Sequence, residues 1–254
     1  METKREFENI YYKRNYLTEV IIRVDLLNHI EAIEKELPKN INSVAMHNFS
    51  IAEPRDAFIQ RVEMSSKRIR TDRKEFSEWV FHSRDRGKSL IIGPQWFYIT
   101  CSKYDKYENL KEDFIKLCND FFKQYEEAQF SRLGIRYINS LKINKDNPLD
   151  WSKYINKKLL GLFNLSFENA KPSRIFHNFE LNFSDFNLRF QFGMHNPDYP
   201  AQIKQNIFIL DFDAYYQGLI EPKDVSDCLD QYHIEIQNLF EFSITDNLRG
   251  ELNE

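Results

Sequence analysis

The sequence has few of the residues that build flexible linkers, disulfide frameworks or membrane spans. Its 254 residues include only seven Gly, eight Pro and three Cys. So little Gly and Pro argues against long low-complexity linkers. Cys101, Cys118 and Cys228 lack a CxxC or Cys/His spacing, which favours small core residues in a reducing compartment over zinc ligands. No run approaches the ~18 apolar residues that a membrane helix needs.

An excess of basic residues is also missing. The formal net charge is −4, which argues against a protein that coats nucleic acid generally, although a local basic patch stays possible. The amino-terminal segment has no apolar signal core, so we expect a cytoplasmic protein without membrane association. Hydrophobic residues make up 42% of the chain and include 22 Phe, which predicts a sizeable core.

Strand and helix patterns occur in the same order in both halves of the chain. In the first half, alternation and β-branched residues predict strands, and helical periodicity predicts two helices. In chain order these are a strand at 17–27, a short helix at 28–37, strands at 57–66, 76–84, 88–93 and 96–102, and a long helix at 107–127. In the second half the same order is found at 131–143 (strand), 150–163 (helix), 174–183, 187–194 and 206–216 (strands) and 222–242 (long helix). The repeated order predicts a duplication.

The two long helices carry the same apolar stripe. The positions i, i+4, i+7 and i+11 are apolar in both, and the second set lies 115 residues after the first: Leu110, Phe114, Leu117 and Phe121, then Val225, Leu229, Tyr232 and Ile236. We therefore predict an α+β protein of two tandem units, 1–128 and 129–254, each a strand, a helix, antiparallel strands and a long helix. The helices would cover one face of the sheet, as in helix-grip or TATA-binding-protein-like folds.

Two motifs resemble a sporadically distributed bacterial family of uncharacterised proteins. One is a Phe-x-Ser-x-Asp hairpin at Phe81, Ser83 and Asp85, followed by the Tyr104 and Tyr107 corner. The other resembles Arg-x-Gly-Leu-Arg-Tyr-Ile-Asn, with matches at Arg132, Gly134, Arg136, Tyr137 and Asn139, and with Ile135 where the family usually has Leu. The resemblance extends over essentially the whole chain. The scattered distribution of this family implies a mobile locus, such as one for phage defence or for a toxin–antitoxin pair.

A polar, charge-mixed face is predicted on the strands of the second half. Alternation places large apolar residues inward and leaves the polar ones outward, with Asp211 and Asp213 about 7 Å apart along one strand. The candidate binding residues are Arg132, Arg136, Asn139, Arg189, Gln191, His195, Asp211 and Asp213. This set suits the binding of an anion or a peptide.

Two other interpretations of this face stay open. Arg132 and Arg136 can pair with Asp211 or Asp213 across the sheet and tie the strands together. Alternatively, Asp211 and Asp213 with Glu180 or His195 can hold magnesium for phosphoryl chemistry. The adjacent arginines would compete with a metal, so we expect neither a metal nor another cofactor. The chain lacks a phosphate-binding glycine loop and a nucleophile elbow, which argues against catalysis.

A basic cluster in the first half is the candidate nucleic-acid contact. It consists of Lys67, Arg68, Arg70 and Arg73, with Lys74, before one strand, and Arg84, Arg86 and Lys88 on the next hairpin. If the two hairpin ends converge, these cations share one surface. We expect first a non-enzymatic module that binds a protein partner, such as one encoded by a neighbouring gene. The alternative is a nucleic-acid-binding protein, with metal-dependent cleavage as its catalytic version.

Overall fold

The computed structural model describes residues 10–65, 68–143, 146–165 and 168–254. These residues form a large antiparallel sheet with few helices, which confirms the predicted α+β class. The strands are β1 (Leu17–Leu26), β2 (Ile51–Ala52), β3 (Arg55–Ser65), β4 (Arg68–His82), β5 (Lys88–Gly93), β6 (Trp96–Cys101), β7 (Phe130–Lys142), β8 (Ile175–Asn182), β9 (Asn187–Met194) and β10 (Ile207–Ile220). The helices are α1 (Lys39–Asn48), α2 (Tyr107–Gln124), α3 (Val225–Ser243) and α4 (Asp246–Asn253).

The described chain forms two compact units. The terminal unit comprises residues 10–20, 134–216 and 227–254, and the central unit comprises residues 21–133 and 217–226. In the terminal unit the strand order is β1-β7-β10-β9-β8. In the central unit it is β2-β4-β5-β6-β1-β7, with β3 paired to β4 alone. The tandem boundary at residue 129 stays a prediction, because compactness in space does not test duplication in sequence.

The core of each unit lies under the apolar stripes that the sequence predicts. In the central unit Leu110, Phe114, Leu117 and Phe121 of α2 are buried, and Phe97 of β6 packs its ring 4.9 Å from that of Phe121. In the terminal unit Leu229, Tyr232 and Ile236 of α3 are buried. Ile135 and Tyr137 of β7 are buried as well. Helical periodicity therefore identified the buried faces correctly.

Residues 150–163 do not form the predicted helix. The segment instead has a turn in which the carbonyl of Trp151 accepts the N–H groups of Tyr154 and Ile155, followed by 3₁₀ turns at Lys157–Leu159 and Gly161–Asn164. Trp151 and Ile155 are fully buried, and the backbone of Ile155 forms a bridge with Ile244. Tertiary contacts therefore divide the segment into short turns, although its apolar pattern alone resembles that of a helix.

The first half also differs from the prediction in its helices and in β4. The predicted short helix at 28–37 is reduced to a 3₁₀ turn at Glu31–Glu34, and α1, which the sequence does not predict, follows it. Strand β4 begins at Arg68, so Arg68, Arg70, Arg73 and Lys74, which were expected before the strand, belong to it. Among the described residues, no helix combines the length and the apolar character needed to cross a membrane.

Candidate binding surfaces

Six polar side chains form a ladder across the terminal unit. Arg136 lies on β7, Asp211, Asp213 and Tyr215 on β10, Arg189 on β9, and Glu180 on β8. We call this set the polar ladder. The antiparallel register pairs Asp213 with Arg189, and Arg189 with Glu180, so alternate residues of neighbouring strands share one face.

The first rung joins β7 to β10. Arg136 donates from Nε to Asp211 Oδ1 at 2.8 Å and from Nη2 to Asp211 Oδ2 at 2.6 Å. This bidentate contact fixes the plane of the guanidinium group. The hydrogen bond to Asp211 raises the pKa of Arg136, with further contributions from the charges of Asp213 and Glu19.

The remaining rungs join β10, β9 and β8. Arg189 donates from Nη2 to Asp213 Oδ2 at 2.7 Å. The hydroxyl of Tyr215 donates to Glu180, and this bond raises the pKa of Tyr215. The ladder therefore links four strands through charged or charge-assisted hydrogen bonds.

Contrary to the prediction, Asp211 and Asp213 do not face solvent. Asp211 is 5% exposed and Asp213 is 7% exposed, because the guanidinium groups lie against them. The arginines are the accessible partners, with 33% of the Arg136 side chain and 36% of the Arg189 side chain exposed. The structure thus has the strand-tying arrangement that the sequence left as an alternative, with arginine as its outer layer.

The other residues of the predicted face do not all lie on it. Asn139 is buried, and its Nδ2 donates to the carbonyl of Leu210 at 3.4 Å. Gln191 lies opposite Asp211 in the strand register, whereas His195 is exposed just after β9. Arg132 belongs to the central unit. Structure therefore groups Arg136, Arg189, Asp211 and Asp213, with Gln191 beside them, and leaves the others out.

No metal-binding cluster is found in the part of the chain that the structure describes. There, three or more His, Cys, Asp or Glu side chains never converge in a way that could hold a metal ion. In the ladder, both aspartates bind arginine, and a cation would have to displace a guanidinium group to reach them.

The Phe-x-Ser-x-Asp motif forms the turn between β4 and β5. Ser83 Oγ donates to Asp85 Oδ1 at 2.8 Å, and the same carboxylate oxygen accepts the backbone N–H of Gly87 at 3.1 Å. Arg86 within the turn has a φ of 54°. These bonds lower the pKa of Asp85 to about 2, and the bond from Ser83 has the largest effect. The motif therefore has a local structural role.

The two basic hairpin ends do not converge. Arg68 is the first residue of β4, and the Ser83–Asp85 turn follows the other end of this strand, on the order of 45 Å away by strand rise. Arg86 pairs with Glu53, Lys88 with Asp113, and Arg73 with Glu75. Lys67 and the side chain of Arg68 lie outside the described residues. The described cations thus do not form the single patch that the sequence suggested.

Sequence reasoning missed a projecting two-stranded ribbon. Residues 55–65 of β3 pair with residues 68–78 of β4, and β5 and β2 pair with β4 only from residue 79 onward. We call these residues the arm. On one face of β3, Phe58 is 53% exposed, Val62 52% and Met64 78%. The alternation of apolar residues in β3 was visible in the sequence, but it usually marks a buried strand face.

An open groove lies at the base of the arm. Its volume is about 680 Å³, and it is lined by Glu34, Lys35, Asp56, Ala57, Phe58, Arg73, Glu75, Phe76 and Ser77. The guanidinium group of Arg73 lies over the Phe58 ring, 4.1 Å from its centroid. The groove thus combines aromatic surface with both signs of charge.

Comparison with known proteins does not assign this chain to a family. No family model and no curated protein matches the sequence. Among solved structures the chain is similar to the TBP of Methanococcus jannaschii, with 11% identity over 88% of this chain and 97% of that chain. The TM-score of that superposition is 0.25, so the similarity carries no argument about function.

Proposed function

We propose that this protein is a non-enzymatic protein-binding module that acts within a prokaryotic phage-defence or toxin-neutralising locus. The observation that supports the binding role is the polar ladder of the terminal unit. Its arginines are anchored by buried carboxylates and are still one third exposed. The locus is supported only by the resemblance of the Phe81–Asp85 and Arg132–Asn139 motifs.

The anchored arginines suit a partner rich in hydrogen-bond acceptors. A guanidinium group has five N–H donors, and the described bonds to Asp211 use two of those of Arg136. Because Asp211 already holds the group in place, a partner carboxylate or carbonyl can bind it with little further loss of side-chain entropy. We infer a partner surface with acidic residues opposite Arg136 and Arg189.

We also propose that the fold arose by tandem duplication of a helix-grip-like unit. Supporting this, the order of strands followed by a long helix occurs in both halves, ending in α2 and in α3. Both long helices bury the stripe that the sequence repeats after 115 residues.

Nucleic acid is the alternative ligand. It is supported by the six Lys or Arg residues between positions 61 and 74, against two acidic ones. Its catalytic version requires the Asp211 and Asp213 pair to bind magnesium, and cleavage should then disappear in Asp211→Asn.

The test is to co-express the chain with its native genomic neighbours and purify it. We expect one neighbour to co-purify stoichiometrically, with little absorbance at 260 nm relative to 280 nm. Arg136→Ala should then reduce binding of that neighbour by roughly ten-fold or more, the scale of a hot-spot residue. Arg23→Ala is the matched control, since Arg23 also forms an ion pair on a strand but lies outside the ladder, with Asp25 at 2.7 Å.

Two results would count against the proposal. Unchanged binding by Arg136→Ala, with a wild-type circular dichroism spectrum, would remove the ladder as the binding surface. Salt-sensitive binding of nucleic acid without a protein partner would favour the alternative. If Arg136→Ala unfolds, Arg136→Lys keeps the charge and tests whether the planar guanidinium group is needed.

A further inference from the structure

Strand β8 leaves one of its two edges unpaired within the described part of the chain. It is the last strand in the order of the terminal unit, and among the described strands it pairs with β9 alone. It contains no Pro, Lys or Arg, and its register with β9 runs from Ile175–Met194 to Asn182–Asn187 without a bulge. Sheets usually protect an edge with such residues or with a bulge, so β8 is an open template for another strand.

The hydrogen-bond pattern of the hairpin shows which backbone groups lie on the open edge. At the turn between β8 and β9, Phe183 donates its N–H to the carbonyl of Phe186 at 2.9 Å. Hydrogen-bonded pairs alternate along an antiparallel ladder, so the odd-numbered residues of β8 bond to β9. The even-numbered residues therefore direct their N–H and C=O groups to the open edge: Phe176, Asn178, Glu180 and Asn182.

Side chains along this strand are exposed on both faces of the sheet. Residues 178–182 are all exposed, including Phe179 at 52% and Leu181 at 40%. Phe179 shares its face with Phe190, its buried register partner, whereas Phe176 on the other face is 44% exposed. Three exposed large apolar side chains beside unpaired backbone groups mark an interaction surface.

The sequence along this edge is complementary to itself. Residues 173–182 contain one basic and one acidic residue, Arg174 and Glu180, and both are exposed. They lie three positions before and three positions after His177. Two such strands that pair antiparallel about His177 place Arg174 of each copy opposite Glu180 of the other. This arrangement forms two ion pairs, which favours a second copy of the chain over an unrelated strand.

The same register also matches the apolar side chains. Ile175 of each copy lies opposite Phe179 of the other, which would cover the exposed part of the Phe179 ring. A centre one residue later, at Asn178, would instead place Phe176 opposite Glu180 and would lose both ion pairs. The charges therefore select the register centred on His177.

The polar groups of β8 suit this pairing. Glu180 accepts a hydrogen bond from the Tyr215 hydroxyl, and the Arg174 guanidinium group lies 4.2 Å from the centroid of the Tyr199 ring. Both side chains are thus positioned and still exposed. Burial lowers the pKa of His177, so the two imidazoles that meet at the centre are uncharged at neutral pH and do not repel each other.

We propose that two copies of this chain pair edge to edge through β8, antiparallel and about a two-fold axis at His177. In this register the N–H of Asn178 donates to the carbonyl of Phe176 in the other copy, and the symmetry repeats the bond. Such a contact is isologous and closes as a dimer, because it uses the same edge of both copies. It does not rest on the proposed function, since Glu180 is the only member of the polar ladder that lies on β8.

The first experiment measures the mass of the protein by size-exclusion chromatography with light scattering. We expect a dimer at micromolar concentrations. Asn178→Pro removes an N–H from the open edge and leaves the bonds to β9 in place, so it should raise the dimer dissociation constant by roughly 30-fold or more, as for two lost hydrogen bonds. Asn178→Ala is the matched control, because it keeps the N–H, and its dimer should stay intact. Circular dichroism checks the fold of both variants.

The second experiment exchanges the charges. Arg174→Glu alone and Glu180→Arg alone should both weaken the dimer, since like charges then meet at both ends of the paired strands. A mixture of these two variants should form a heterodimer, because every acidic position then faces a basic one. The double variant Arg174→Glu with Glu180→Arg should recover the homodimer for the same reason. These variants decide the proposal if Asn178→Pro does not fold.

Three results would overturn the proposal. One is a wild-type protein that stays monomeric throughout the micromolar range. Another is a dimer that survives Asn178→Pro unchanged, or charge variants that fail to complement each other. The third is a monomer that binds a co-purified neighbour, loses it in Asn178→Pro and keeps it in Asn178→Ala, which would assign the edge to that neighbour.

Discussion

Asp211 accepts both of its described hydrogen bonds from one residue, Arg136, at 2.8 Å from Nε and 2.6 Å from Nη2. The acid is buried, whereas a third of the arginine side chain is exposed. The pair joins β7 to β10. Because only the acid is buried, we expect loss of the arginine to destabilise the protein more than loss of the charge on the acid.

Arg136→Ala should destabilise the protein by about 3 kcal/mol, because it leaves a buried carboxylate without its counter-charge. Asp211→Asn should cost about 1 kcal/mol, since the amide keeps one acceptor. The double replacement Arg136→Met with Asp211→Leu should be nearly neutral. Urea denaturation followed by circular dichroism measures all three. An Arg136→Ala protein as stable as Arg23→Ala would show that the pair contributes little.

Gly193→Ala should be severely destabilising, and Gly250→Ala should not. Gly193 has a φ of 143°, and an added Cβ would lie 2.2 Å from the carbonyl oxygen of Ile175 on the neighbouring strand. We expect a loss of about 3 kcal/mol or more. Gly250 lies in α4, and apart from its chain neighbours and its own helix backbone no atom lies within 4 Å of the added Cβ, so alanine should stabilise that helix by about 0.5 kcal/mol. Thermal melting of the two variants gives the comparison.

Asp85 should make the stability of the β4–β5 turn depend on acid. Its pKa is lowered from 3.8 to about 2, first by the Ser83 hydroxyl and then by the Gly87 amide. A lowered pKa means that the contribution is present above pH 4 and is lost as the pH falls towards 2. The difference in unfolding free energy between the wild type and Asp85→Asn should shrink over that range. A difference that is independent of pH would contradict this assignment.

Glu241 should behave as a buried anchor in the terminal unit. Its side chain is inaccessible, and it accepts hydrogen bonds from Tyr12 at 2.6 Å and from Arg249 Nε at 2.8 Å. Arg249→Ala should cost about 3 kcal/mol, and Tyr12→Phe about 1 kcal/mol. Lys123→Ala is the surface control, because the Lys123 side chain is 74% exposed and its pair with Asp120 should contribute less than about 1 kcal/mol. Equal effects of Arg249→Ala and Lys123→Ala in urea denaturation would refute the anchor.

Local pattern was sufficient for the regular elements of the chain. Strand β9 was predicted at the residues where it lies, and the buried stripes of α2 and α3 follow their 3.6-residue period. These features depend on alternation and periodicity, which short-range sequence contains. Pairing of Arg136 with Asp211 or Asp213 was among the alternatives that the sequence offered, but the Arg189–Asp213 and Tyr215–Glu180 bonds were not predicted, since they depend on strand register.

Tertiary structure decided everything that depends on distant partners. Apolar residues at 150–163 suggested one helix, yet that segment consists of short turns, with Trp151 buried and Ile155 bridged to Ile244. The sequence predicted a strand at 57–66, but the part of β4 opposite Phe58, Val62 and Met64 is not joined to β5, so these side chains stay exposed. The sequence by itself determined which faces are apolar and which side chains carry charge. Whether an apolar face is covered, and whether a carboxylate is buried, was decided by strand pairing over long separations, because burial depends on neighbours that local sequence does not contain.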